Sequence, residues 1–254
     1  MPLVPELLRR PSLIVASITP SAAEGSAPLT CVRWSPRLAL DRRKSRPGVP
    51  STTEPYTPGP GTTPVVGLAV ALKSSLSLSR PSVQAVLEAA LAQLVGEPVI
   101  CRGAGRTDSG VHALGQVVSI RLPRELPEKA LVYGTNNHLP DSVAVMEAAL
   151  VADEFDARHS SSGKLYRYQV WNGKIRSPLH TRNHWHVGHA LDLEAMRRAA
   201  QVLVGRHDFR AFRAADCERL TTVRWMKRLE VFRPSHDPLA IHIEVEGTAF
   251  LKNM

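Results

Sequence analysis

"GAGRTDSGVHALGQVVSI", residues 103–120, is the stretch on which the reading of this chain turns. Gly103 and Gly105 open it as a dinucleotide-binding loop would, but Asp108 holds the position of the third glycine in G-x-G-x-x-G. No Lys-Ser or Lys-Thr pair follows, so a Walker phosphate loop fails as well. The short run "PVICR" (98–102) reads as a strand entering the loop, and "GQVVSIRL" (115–122) as the strand leaving it. One carboxylate therefore sits on a short connection, with Arg106 two places before it and His112 four places after. Asp-Ser-Gly is a good turn former, and a plain turn accounts for Asp108. A turn does not require Arg106, however, and a guanidinium beside a carboxyl keeps it ionised. Two chemical readings stay open: a carboxylate fixed in place as a nucleophile, or a hydrolase pair of Asp108 with His112.

On both sides of this loop the patterns are those of an α+β chain. "SVQAVLEAALAQLVG" repeats its apolar residues at helical spacing, with Ser82 as N-cap and Gly96 as stop. "DLEAMRRAAQVLVG" is a second amphipathic helix, with Asp192 as cap and Gly205 as stop, and "PEKALVYGTNNHL" a weaker third. "SVAVMEAALV", "KLYRYQVW", "NHWHVGH", "TTVRWMKRLEVF" and "LAIHIEVE" read as strands. Strands in runs with a few helices suit an antiparallel or mixed sheet with helices packed on it. Composition changes near residue 80: twelve of the twenty prolines lie in the first 64 residues, in Ser-, Thr- and Gly-containing stretches without apolar period. Residues 1–79 are accordingly expected to be a disordered or misassigned segment, apart from a possible strand at 65–72, and 80–254 the folded region.

The formal net charge of +9 favours a polyanionic partner. Inside the folded region the cations cluster: six Lys/Arg and no acid from Arg158 to Arg182, and nine against three from Arg197 to Arg228. Such blocks form a basic surface or a merely solvated face. Three widely spaced cysteines, Cys31, Cys101 and Cys217, show no metal-ligand spacing and fit a reducing, cytoplasmic compartment. The longest apolar run, "VVGLAVAL" at 65–72, is far short of a membrane span. "NHWHVGH" lacks the acid or cysteine that would complete a metal set, so no metal is expected; Trp185 and Val187 are expected on the buried face, with His184 and His186 facing outward.

"GRTDSGVHALGQVV", then "TNNHLP", "FDARHSSSGKLYRY" and "LVGRHDFRAFRA", in this order, resemble the tRNA pseudouridine synthase A family from about Arg80 to Met254. The resemblance implies an isomerase that turns uridine into pseudouridine at positions 38–40 of the tRNA anticodon arm. It places the nucleophile on Asp108. Arg106 becomes the arginine that contacts phosphate or the flipped base, and Tyr166 the aromatic that stacks on the extruded uracil. Without the resemblance Tyr166 reads as a strand-core residue, and Tyr168 is taken as core. Pseudouridine is an isomer of uridine, so no cofactor is implied. The family acts as a homodimer on tRNA. Arg158, Lys164, Arg167, Lys174, Arg176, Arg210, Arg213 and Arg219 become candidates for the tRNA backbone. A non-catalytic tRNA-binding or folding-helper role is the alternative use of the same surface.

Two departures from the family pattern are visible. Its opening Tyr-Asp-Gly-Thr-like turn and Gly-Trp-Gln motif are not found in residues 1–80, which suggests a wrong start or a shifted frame upstream. "GTAFLKNM" begins a block that continues Val-Arg-Asn in the family, and that arginine, which pairs with the nucleophile, does not follow. Without it Asp108 is expected to have a raised pKa and the chain as given to be weakly active or inactive.

Overall fold

The computed structural model describes residues 63–72, 81–107, 111–252 and 254. They fall into two compact units that divide between Ser162 and Gly163. Architecture in both is α+β, as the sequence pattern predicts.

The first unit is a four-stranded antiparallel sheet in the order β2-β3-β1-β4, made of β1 (Val65–Leu72), β2 (Cys101–Gly103), β3 (Ala113–Arg121) and β4 (Val143–Val151). β1 lies between β3 and β4 and is buried along nearly its whole length. This explains its uninterrupted apolar run, since a strand covered on both faces has no polar side to alternate with. Helix α1 (Val83–Val95) supplies Leu87 and Leu91, and α2 (Glu128–Asn136) supplies Leu131, to a core shared with Leu68, Val70, Ile120 and Val145. The predicted caps of α1 are in place: Ser82 Oγ accepts from Ala85 N at 3.2 Å, and Gly96 takes the left-handed conformation at φ 90° while donating to Ala92 O. Asn136 ties the end of α2 to the edge strand. Its amide donates to Val145 O and its oxygen accepts from Val145 N, both at 2.8 Å. The other face of this sheet carries a smaller cluster of Ala69, Ala104, Val117 and Ala157.

The second unit is a five-stranded mixed sheet in the order β6-β5-β9-β8-β7. It contains β5 (Lys164–Trp171), β6 (Trp185–His186), β7 (Gly205–Asp208), β8 (Val223–Phe232) and β9 (Ala240–Gly247), with only the β5–β6 pair parallel. Helix α3 (Leu193–Leu203), capped by Asp192 Oδ1 accepting from Ala195 N at 2.9 Å, belongs to the apolar cluster of Val170, Ala200, Val231 and Ile241.

Two local expectations are corrected. Gly205 is not the helix stop: α3 ends at Leu203 with an extended Val204, and the φ of 116° at Gly205 turns the chain directly into β7. "NHWHVGH" is not a full strand, because only Trp185 and His186 pair with β5. Its faces are also reversed at two positions. Trp185 is 39% exposed, whereas His184 is 9% exposed. A two-residue pairing is too short to impose strand alternation on its flanks, and His184 turns inward against Gln169 and His180.

Candidate active site

The residues that lead toward Asp108 are held to β3. Ala104 N donates to Val117 O at 2.8 Å, and the Gln116 side chain reaches back to Gly105 O at 2.5 Å. Ala104 and His112, at 4% and 8% exposure, are buried where the chain enters and leaves. Between them Arg106 is exposed. Asp108 itself, with Ser109 and Gly110, lies outside the described residues.

The "FDARHSSS" half of the third motif is fastened to the same sheet. Ser119 Oγ accepts from Ala157 N at 3.2 Å. Asp156 Oδ1 accepts from His159 N at 2.8 Å and Arg158 N at 2.9 Å. Those backbone donors, that of His159 foremost, hold the Asp156 carboxyl below the usual range, with Arg102 at 3.9 Å adding to the effect. Arg158 is thereby fixed at its backbone while its side chain stays exposed.

Tyr166 is half-buried on β5, opposite Val245 of β9. Its ring meets Phe250 edge to face, with centroids 4.7 Å apart. Phe250 in turn packs on a core of Phe209, Met226 and Leu251. Thus "HDFRAF" and "GTAFLKNM", far apart in sequence, build one apolar support beside the Tyr166 ring. Ala214 N donates to Lys252 O at 3.0 Å and closes it. Phe250 and Phe209 were not singled out by the sequence reading. The signal was available in the two motifs that contain them.

The basic candidates separate by environment. Lys174, Arg176, Arg213 and Arg219 are exposed, and Lys164 is half-buried. Arg210 is exposed but bonded to Asp208, whose carboxyl it draws down to about 2, with help from Thr222. Arg167 has a structural partner: its guanidinium donates through Nε, at 2.7 Å, and Nη2 to Glu244, which is 3% exposed. Arg228 approaches the same carboxylate at 3.5 Å. Among the described residues no group of three or more His, Cys, Asp or Glu is arranged to hold a metal ion, and no helix is long and apolar enough to cross a membrane.

A family model described as tRNA pseudouridine synthase matches residues 199–254. Among similar proteins, tRNA pseudouridine synthase A of Myxococcus xanthus is 54% identical over 174 residues, 68% of this chain and 65% of that protein. The protein of the same name in Syntrophotalea carbinolica is 47% identical over 173 residues, 68% of each chain. That of Neisseria meningitidis serogroup B is 42% identical over 174 residues, 68% of this chain and 64% of its own length. The chain thus spans roughly 64–68% of the length of these curated relatives. Identity at this level, over a stretch that carries the Asp108 motif and the Tyr166 strand, settles the kinship: the chain belongs to the tRNA pseudouridine synthase A family.

Proposed function

We propose that this protein converts uridine to pseudouridine in the anticodon arm of tRNA, at positions 38–40, with Asp108 as the nucleophile. The observation that carries the reading is the kinship of a chain whose Ala104 and Gly105, just before "RTDSGVHALGQVV", are bonded to Val117 and Gln116 of β3. A carboxylate splits the reaction into two easier steps through a transient covalent bond to the nucleotide. The N1–C1′ bond breaks, the base turns, and a C5–C1′ bond forms. C5 gives up its proton and N1 gains one, so product and substrate have the same atoms and no redox partner enters. Arg106 holds phosphate or the space left by the flipped base. Tyr166 stacks on the uracil and assists the proton at C5, its orientation supported by Phe250. Arg158, Lys164, Lys174, Arg210 and Arg213 supply backbone contacts. The protein acts in the cytoplasm as a homodimer.

The test is pseudouridine mapping on a tRNA transcript incubated with the purified protein. Asp108→Ala is expected to abolish conversion while tRNA is still bound. Tyr166→Phe, which keeps the ring and loses the hydroxyl, is expected to slow turnover by about 10²- to 10⁴-fold. Conversion that persists in Asp108→Ala overturns the assignment. Binding without conversion by the wild type would leave tRNA binding itself as the function.

A further inference from the structure

β7 and β8 form one edge of the second sheet, and their register gathers a distinct set of side chains on one face. Arg206 pairs with Trp225, His207 with Arg224 and Asp208 with Val223. Arg224 and Met226 are buried at 9% and 1% exposure, while Val223 and Trp225 are open at 43% and 52%. Directly opposed residues of an antiparallel pair share a face. Arg206 therefore stands beside the exposed indole, and Asp208 beside Val223. Lys227 Nζ lies 5.9 Å from the centre of the Trp225 ring, within cation–π range, and 3.6 Å from Glu246. The one acid at the outer end, Asp208, is matched by Arg210 at 2.6 Å.

A half-exposed indole flanked by cations suits two occupants, a second protein surface or a nucleotide. Charge decides between them. A two-fold contact with a second copy sets a patch against itself. That would bring Arg206 toward its own counterpart, while Arg210 and Lys227 keep their ion pairs with Asp208 and Glu246. RNA presents the complement of both features, flat bases for the ring and phosphates for the cations. In a paired stem the base faces are hidden in the stack, so only an unpaired nucleotide can use the ring.

We propose that Trp225 is a stacking platform for an unpaired nucleotide of the bound tRNA, with Arg206 and Lys227 against the flanking phosphates. This rests on the proposed tRNA substrate. It adds a residue that lies outside the family motifs and outside the basic candidates read from the sequence.

The experiment compares wild type, Trp225→Ala, Trp225→Phe and Arg206→Gln for binding of a tRNA transcript and of oligouridylate across a salt series. Trp225→Ala is expected to weaken both RNAs by about 5- to 150-fold without changing the salt slope. Trp225→Phe keeps a ring on the same strand, guards against a folding defect, and is expected to retain most of the affinity. Arg206→Gln is expected to lower the slope of log K against log salt by about one. The inference fails if Trp225→Ala binds both RNAs as wild type does. It fails equally if sedimentation shows that the variant only splits a dimer, with affinity per chain unchanged. A wild type that binds neither RNA removes the proposed function and this inference together. A wild type that binds and converts tRNA, matched in both by Trp225→Ala, removes only the inference.

Discussion

Glu244 is a carboxylate taken almost wholly out of water, at 3% exposure, and Arg167 is the cation that makes this tolerable. A buried charge left without its partner costs several kcal/mol, far more than an exposed pair contributes. Arg228, at 3.5 Å, also reaches Glu246 and Glu230, so it only partly replaces Arg167. Arg167→Ala should therefore lower unfolding stability by about 3 kcal/mol, the low end for a broken buried pair, as read from urea midpoints. Arg167→Met combined with Glu244→Gln should recover much of that loss, because no uncompensated charge remains. The same measurement decides between two roles for Arg167. As a tRNA-backbone contact, its loss would weaken RNA binding and leave the urea midpoint where it was. Nothing local in "KLYRY" distinguishes these roles, since the partner lies 77 residues away in sequence. The residues that carry the proposed chemistry were legible for the opposite reason. Asp108, Arg106 and Tyr166 belong to contiguous motifs, and their reading needs no knowledge of what the chain brings near them.

Helix α1 shows how much of an element its ends determine. Ser82 and Gly96 bound thirteen helical residues, one by accepting the Ala85 N–H and the other by adopting φ 90°. Ser82→Ala leaves an N-terminal donor without that acceptor and should cost about 1 kcal/mol of stability, measurable as a shift of the urea midpoint. Ser82→Gly should cost only a few tenths, and an equal loss for both variants would argue against the cap. Elements with strong periodicity or clear caps were readable in this way, including the interior strand β1, which an apolar run marked inside proline-rich surroundings. The ones missed or misread lack such signals. β7 is "GRHD", three polar residues after a glycine, and it is a strand only because β8 offers it an edge. The faces of "NHWHVGH" were misread because alternation was assumed for a segment that pairs over two residues. The clamp of Asn136 on Val145 joins a helix end to an edge strand, and no spacing rule anticipates it.

At the scale of the whole molecule, acid acts on a chain that already carries +9. Two histidines of the second unit make the response specific. Burial first, then the neighbouring His180, hold the His184 imidazole down to about 4, against a smaller opposing pull from Asp237. Burial, then the Arg167 charge, hold His242 to about 4, with His184 and His236 in the same direction and Glu244 opposing. In the unfolded chain both rings take up protons near 6.5. Between about pH 6.5 and 4 the unfolded state thus binds more protons than the folded one, and acidification favours unfolding. Their contribution is complete above 6.5 and is lost as pH falls through that window. Asp156, Asp208 and Asp216, whose carboxyls are held below their ordinary value of 3.8, add their losses only at lower pH. Urea midpoints should therefore decline from pH 7 to pH 4.5, and the decline should flatten when His184 and His242 are both replaced by glutamine. Salt separates this from general repulsion among surface cations, which is screened, whereas the burial of two neutral rings is not. A decline that high salt removes, and that the double variant leaves unchanged, would assign the acid response to net charge rather than to the buried imidazoles.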